Sequence, residues 1–179
     1  MEKTLLVVVD MQNDFIDGSL GTGEAEAIVP KVAAKIHLWE GDMIFTKDTH
    51  SGEYLQTSEG RKLPVRHCIS GTFGHELHPE IDGARMYQTQ RGKVSKVIEK
   101  PSFGSLELAD IIKNGGYGRI EFVGLCTDIC VISNVMIAKA AVPEAEIIVD
   151  ASCCAGVTPE SHRNALSAMK MCQIDIINE

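Results

Sequence analysis

Residues 5–9 of this chain read Leu-Leu-Val-Val-Val and stop at Asp10. A run this short is no membrane span or long helix, and because both of its alternating faces are apolar it belongs to a strand covered on both sides, as in a parallel sheet. The reading extends to a strand at Thr4–Val9, and similar short runs recur at residues 43–46, 97–99, 120–123, 146–149 and 175–177. Helical spacing fills the intervals: Ile28, Val32, Ile36 and Trp39 mark residues 28–39, with Trp39 expected in the core, and the pattern returns at 106–113, 131–140 and 159–171. Thr158-Pro159-Glu160 offers a cap with Pro at the first helical position, and Asn114-Gly115-Gly116 offers a stop. Alternating strands and helices predict an α/β fold, doubly wound, with a mostly parallel six-stranded sheet and helices on both faces, in one unit spanning residues 1–179. Residues 49–91 break the rhythm, with only a short strand expected at 85–89. A connection of that length is usually functional.

Charge and cysteine usage narrow the partners. A formal charge of -8 disfavours phosphate-backbone contacts, which need clustered Lys and Arg, so no nucleic acid is expected. No apolar run is long enough for a signal sequence or a membrane span, so no membrane partner is expected either. Cysteines at 68, 126, 130, 153, 154 and 172 lack the density and spacing of a disulfide scaffold or a zinc knuckle. Reduced thiols and a cytoplasmic protein are expected.

In open parallel sheets ligands bind beyond the carboxyl ends of the strands, near a switch in strand order. The residues at those ends are Asp10, Asp48, Lys100, the turn from Cys126 to Cys130, and Asp150 with Ser152. Cys130 is expected to open the helix at 131–140, where the macrodipole favours thiolate and lowers its pKa. On position alone a buried thiol packing as a small hydrophobe competes evenly with a nucleophile. Asp10 reads as a general base, if partial burial raises its pKa, or else as an N-cap or turn acid. Lys100, extended before Pro101, reads as a fixed charge for the thiolate against the commoner solvated lysine. Asp48, His50 and His67 unite two imidazoles and a carboxylate, a set suited to zinc, iron or manganese, although two histidines near one acid also arise by chance.

Three blocks, Val9-Asp10-Met11-Gln12-Asn13-Asp14-Phe15, Glu99-Lys100-Pro101-Ser102-Phe103 and Val123-Gly124-Leu125-Cys126-Thr127-Asp128-Ile129-Cys130-Val131, resemble the signatures of the isochorismatase-like cysteine hydrolases. The resemblance runs over essentially the whole chain. It implies a catalytic triad of Asp10, Lys100 and Cys130, with a cis peptide between Leu125 and Cys126 and the N–H groups of Cys126 and Cys130 forming an oxyanion hole. Asp48-Thr49-His50 and His67-Cys68-Ile69-Ser70-Gly71-Thr72 are most similar to the nicotinamidase (pyrazinamidase) branch. That implies one divalent metal ion, zinc first and then iron or manganese, on Asp48, His50 and His67, with Glu59 as fourth ligand and Glu53 the alternative. It also implies hydrolysis of nicotinamide to nicotinate and ammonia, a place in pyridine nucleotide salvage, a small-molecule amide as partner, and a homo-oligomer. Aromatic residues are 5% of the chain, and Leu63 and Pro64 stand where an aromatic is usual, which leaves Phe15, Leu20 and Phe103 as the substrate walls. His75 and His78 read as surface residues. Two further readings stay open: a related cysteine hydrolase for another small amide, and a catalytically silent binding protein.

Overall fold

The computed structural model describes residues 3–179. Its strands are β1 (Thr4–Val9), β2 (Asp42–Asp48), β3 (Ser95–Lys100), β4 (Arg119–Leu125), β5 (Glu146–Ala155) and β6 (Asp175–Ile177). They form one sheet in the order β3-β2-β1-β4-β5-β6, with every adjacent pair parallel. β1 is central because Leu5, Leu6, Val7, Val8 and Val9 are all fully buried. Each such side chain contributes about 1.5–3 kcal/mol when taken out of water. Leu6 and Val8 enter one hydrophobic layer and Leu5, Val7 and Val9 the other, as the two-residue period of a strand requires.

The helices are α1 (Asn13–Ile16), α2 (Gly23–Leu38), α3 (Ser58–Lys62), α4 (Pro79–Gln90), α5 (Leu106–Gly115), α6 (Ile132–Ala141) and α7 (Pro159–Met171). α2 and α4 cover one face through Ile28, Val32, Ile36, Ile81 and Ala84. On the other face α5, α6 and α7 pack through Leu108, Ile112, Val135, Ala138, Leu166 and Met169. Local chemistry sets the ends. Thr158 and Ser161 form a reciprocal capping box around Pro159, and Gly116 closes α5 at φ 68°, a left-handed conformation that glycine adopts without cost.

Four expectations need correction. Residues 85–89 lie inside α4, not in a strand: the period is set by Ile81, Ala84 and Gln88, and a buried Gln obscures it. Gln88 is fully buried because its Nε2 donates to the carbonyls of Ile36, His37 and Trp39, closing the C-terminus of α2. α2 itself begins at Gly23, where the Thr22 hydroxyl accepts from Ala25 N, and Trp39 lies beyond its end, half-buried with Nε1 donating to Asp42 O. β5 runs on to Ala155 through an irregularity opposite β4, where Phe122 pairs with Val149 but Gly124 with Cys154.

Asp150 therefore belongs to the body of β5 rather than to the rim, and Ser152 hydrogen-bonds to its Oδ1. Its carboxylate also meets Lys35 and Asn178, and Lys35 reaches the buried Glu121 as well. Burial pushes the Asp150 carboxyl up, but the bonds from Lys35, Ser152 and Asn178 outweigh it and hold the carboxyl below its usual range. A lowered folded-state pKa contributes stability above the unfolded value of about 3.9, lost as pH falls through the folded value. Asp150→Asn is accordingly expected to cost stability at pH 7, and the deficit should shrink as urea midpoints are measured down through the acid range.

Among the described residues no helix is long and apolar enough to cross a membrane, and all six cysteines are free thiols.

Candidate active site

Strand order reverses between β1 and β4, and the chemistry-bearing residues collect at the carboxyl ends around that point. Gly124 lets the two strands close together: at φ 115°, a Cβ there would lie 2.1 Å from Val9 O. Asp10 leaves β1 at φ 48° with its N–H donating to Thr46 O, and Thr46 Oγ1 donates to Asp10 Oδ1 at 2.6 Å. Lys100, at the end of β3, places Nζ 2.6 Å from Asp10 Oδ2 and 3.5 Å from Cys130 Sγ, and donates to Ser102 O at 3.0 Å. Asp10, Lys100 and Cys130 are all buried. The three predicted triad residues thus converge on one point.

Cys130 does not open a helix. It lies in a single wide turn, Thr127–Val131, in which Ile129 N and Val131 N both donate to Cys126 O, and α6 starts at Ile132. The peptide between Leu125 and Cys126 is cis, as the resemblance implied. The expected lowering of the thiol pKa is also absent. Burial pushes the Cys130 thiol well up and Asp10 adds to this, while Lys100 offsets only part. Burial likewise raises the Asp10 carboxyl against the pull of Lys100. Burial works against the Lys100 ammonium, but Asp10, Cys130 and Asp48 hold its pKa above the ordinary value. Burial thus disfavours ionisation of both the Cys130 thiol and the Asp10 carboxyl, while their proximity favours the charged form of Lys100.

A second cluster adjoins the first. Asp48 ends β2, His50 follows, α3 carries Glu59, and His67 comes from the long connection; one ligand atom from each lies within 4.8 Å of all the others. His50 Nε2 is 2.9 Å from Asp48 Oδ2 and 3.6 Å from Glu59 Oε1, and His67 Nε2 is 3.5 Å and 3.7 Å from the same atoms. Four ligands at about 2.0–2.1 Å from a tetrahedral ion lie about 3.3 Å apart, which these separations bracket. Val65 O accepts from His67 Nδ1 at 2.8 Å and leaves Nε2 for the cluster, the arrangement common in metal-binding histidines. His50 Nε2 and Asp48 Oδ1 are buried without a hydrogen bond, so the donor set fits a divalent cation. The imidazoles of His50 and His67 close beside it, together with the Lys100 ammonium, outweigh burial and hold the Asp48 carboxyl far below the carboxylate range. Glu53 is exposed and remains outside the cluster.

Phe15, Leu20 and Phe103 line one cavity of ≈ 210 Å³ with Leu63, Ile129 and Val157, and Cys130, Cys126, Asp48, Glu59 and His67 reach its wall. The sequence reading missed several contributors. Tyr54 is fully buried with its ring centroid 4.6 Å from that of His50 and 4.9 Å from that of His67, and its hydroxyl donates to Leu63 O. Asn134 donates to Cys130 O and Phe103 O and accepts from Ser105 N, tying the thiol's turn to the segment after Lys100. One turn of helix separates Asn134 from Cys130, a spacing that could have been noticed. His75 is no surface residue: it is 2% exposed, with Nε2 2.8 Å from Thr49 Oγ1.

The isochorismatase domain family matches residues 4–178. The chain belongs to the isochorismatase family. Among relatives within or beside this family, a nicotinamidase/pyrazinamidase of Mycobacterium tuberculosis is 26% identical over 186 residues, covering 96% of this chain and 97% of that protein. A probable inactive nicotinamidase of Arabidopsis thaliana is 28% identical over 179 residues, covering 94% and 88%. The crystal structure of a pyrazinamidase of Pyrococcus horikoshii in complex with zinc superposes with a TM-score of 0.77 at 27% identity, covering 99% of each chain. The doubly wound sheet is thus the isochorismatase-like hydrolase fold, and this family member is a hydrolase carrying a group of residues able to bind a metal.

Proposed function

We propose that this isochorismatase-family hydrolase is a metal-assisted amidase that converts nicotinamide to nicotinate and ammonia through a Cys130 thioester, the reaction class named for its mycobacterial relative. The observation that carries the reading is that one apolar cavity is reached both by Cys130, behind which stand Asp10 and Lys100, and by Asp48, Glu59 and His67 of the Asp48–His50–Glu59–His67 donor set.

The raised thiol pKa makes proton transfer part of the attack. Asp10 takes the Cys130 proton as sulfur adds to the carboxamide carbon, and Lys100, positively charged throughout, stabilises the thiolate that forms. The N–H groups of Cys126 and Cys130 hold the developing oxyanion. Asp10 then gives its proton to the amide nitrogen, ammonia departs, and a thioester remains on Cys130. A water molecule attacks this thioester while Asp10 accepts its proton, and the returning thiol releases the carboxylate product. Phe15, Leu20 and Phe103 hold the ring and exclude bulk water. Asp48, His50, Glu59 and His67 would hold the divalent ion, zinc in preference to iron or manganese, and when bound it supplies a Lewis acid for a ring nitrogen or for water. The reading carries with it a cytoplasmic setting in which the free thiols stay reduced.

A panel of small amides, assayed for ammonia with metal content determined on the same sample, tests it. Nicotinamide is expected to be turned over and chelation to reduce the rate. Turnover of a different amide with none of nicotinamide identifies the related cysteine hydrolase. No turnover of any amide by metal-loaded protein identifies the silent binding protein, a role with a counterpart in the Arabidopsis relative's name.

A further inference from the structure

Of the first sequence block, the reaction uses Asp10 and the Phe15 wall and leaves Gln12, Asn13 and Asp14 without a task. All three side chains reach the long connection between β2 and α4, at three different points. Gln12 is fully buried; its Nε2 donates to Asp48 O and His75 O, both at 2.8 Å, and its Oε1 accepts from Asp48 N at 2.7 Å. Asn13 Nδ2 donates to Phe73 O at 2.7 Å. Asp14 Oδ2 accepts from Cys68 N at 2.7 Å, and the backbone of Gly74 comes so near that a Cβ there would lie 2.2 Å from the same oxygen. Backbone bonds add to these: His78 N donates to Met11 O and Asn13 N to Glu76 O.

The connection passes the constraint on to both imidazoles. Cys68 follows His67 directly, and Cys68 O accepts from His50 N at 2.9 Å while Ser70 N donates to His50 O at 2.9 Å. Fixing Cys68 therefore fixes the backbone beside His67 and opposite His50, and fixing both backbone atoms of Asp48 sets the third ligand. We infer that Gln12, Asn13 and Asp14 are positioning residues, a three-point clamp through which the strand that carries Asp10 presets Asp48, His50 and His67 for their metal. The inference rests on the metal-site reading above. It assigns to this block the coupling of the two halves of the site.

The molecule contains its own control. Gln88 is equally buried and also donates to several backbone carbonyls, yet those bonds close α2, far from the cluster. Zinc affinity, measured by competition with a chromogenic chelator, and amide hydrogen exchange would be compared for the wild type, Gln12→Met and Gln88→Met, each as the full chain. Gln12→Met is expected to weaken zinc binding by about 10- to 100-fold, the usual effect of removing an outer partner of a metal ligand, and to speed exchange in residues 48–50 and 67–76. Gln88→Met is expected to soften the ends of α2 and α4 and leave zinc affinity within about twofold. Wild-type zinc affinity and exchange in Gln12→Met would overturn the clamp, and so would an equal loss of zinc in Gln88→Met. Failure of the wild type to bind zinc would sink the metal-site reading instead, and exchange in residues 67–76 would then decide the clamp by itself. Should Gln12→Met not fold, Asp14→Leu against Asp14→Asn, which keeps an acceptor for Cys68 N, carries the comparison. Loosening in Leu with recovery in Asn supports the clamp, and equal behaviour of the two overturns it.

Discussion

Replacing Cys130 by Ala is expected to lower turnover of the amide substrate by about four to six orders of magnitude, the range seen when the nucleophile of a covalent hydrolase is removed. No other thiol can take over. Cys126 shares the cavity, but among the described residues only the Cys130 thiol has Lys100 Nζ within 3.5 Å, and Cys172 is exposed at the C-terminal end of α7. The same substitution should barely disturb the fold. It removes one sulfur from a buried position, so the loss in stability should be about 1 kcal/mol and thermal unfolding should remain cooperative. Ammonia release and the melting temperature, measured on one preparation, check both halves. A folded Cys130→Ala protein with more than a hundredth of wild-type activity would remove the thiol from the mechanism.

Lys100→Met should fail in a different way, losing activity and stability together. Asp10 is fully buried, and its strongest partner is the ammonium 2.6 Å away. Removing one member of a buried pair leaves an uncompensated charge, which costs about 3–5 kcal/mol. The pH dependence has a definite sign. Burial already raises the Asp10 carboxyl, and Lys100 is the main influence pulling it down, so the variant's folded-state pKa lies higher still. A carboxyl whose folded pKa is raised contributes its stability below the unfolded value of about 3.9 and loses it as pH rises through the folded value. The gap between wild type and Lys100→Met should therefore widen from acid toward neutral pH in urea titrations. Adding Asp10→Asn should recover most of the stability and none of the activity. That double-mutant result would separate the pair's electrostatic cost from its chemical role.

Much of this site was legible as residues at strand ends. Asp10, Asp48, Lys100 and Cys130 each follow a short apolar run, and parallel sheets gather such positions on one rim, so the candidates could be selected before any side-chain geometry was known. Glu59 against Glu53 was not decidable that way. Both lie in the same polar stretch, and the choice depends on a turn of helix at Ser58–Lys62 that turns one inward and leaves the other in solvent. α4 was misread in part because Gln88 occupies a core position; hydropathy cannot reveal that an amide will be buried against three carbonyls of another helix. Asp150 was assigned to the rim because β-branched residues stop at Val149, whereas the pairing of Cys154 with Gly124 carries the strand further. The direction of the thiol's pKa shift was misread for a similar reason. A helix-end argument uses only local dipoles, and complete burial beside a carboxylate outweighs them.

Alternating apolar runs and helical spacings, with caps and glycines between them, were enough to determine the doubly wound sheet and which residues stand at its carboxyl edge, because both follow from local periodicity and from the topology that parallel strands impose. Only the tertiary structure decided how those residues are buried and held: Cys130, Asp10 and Lys100 sharing one buried point where desolvation pushes the thiol and the carboxyl up, His75 enclosed, and Gln12, Asn13 and Asp14 gripping a distant loop. Protonation and grip depend on desolvation and on partners tens of residues away, and no local pattern encodes either.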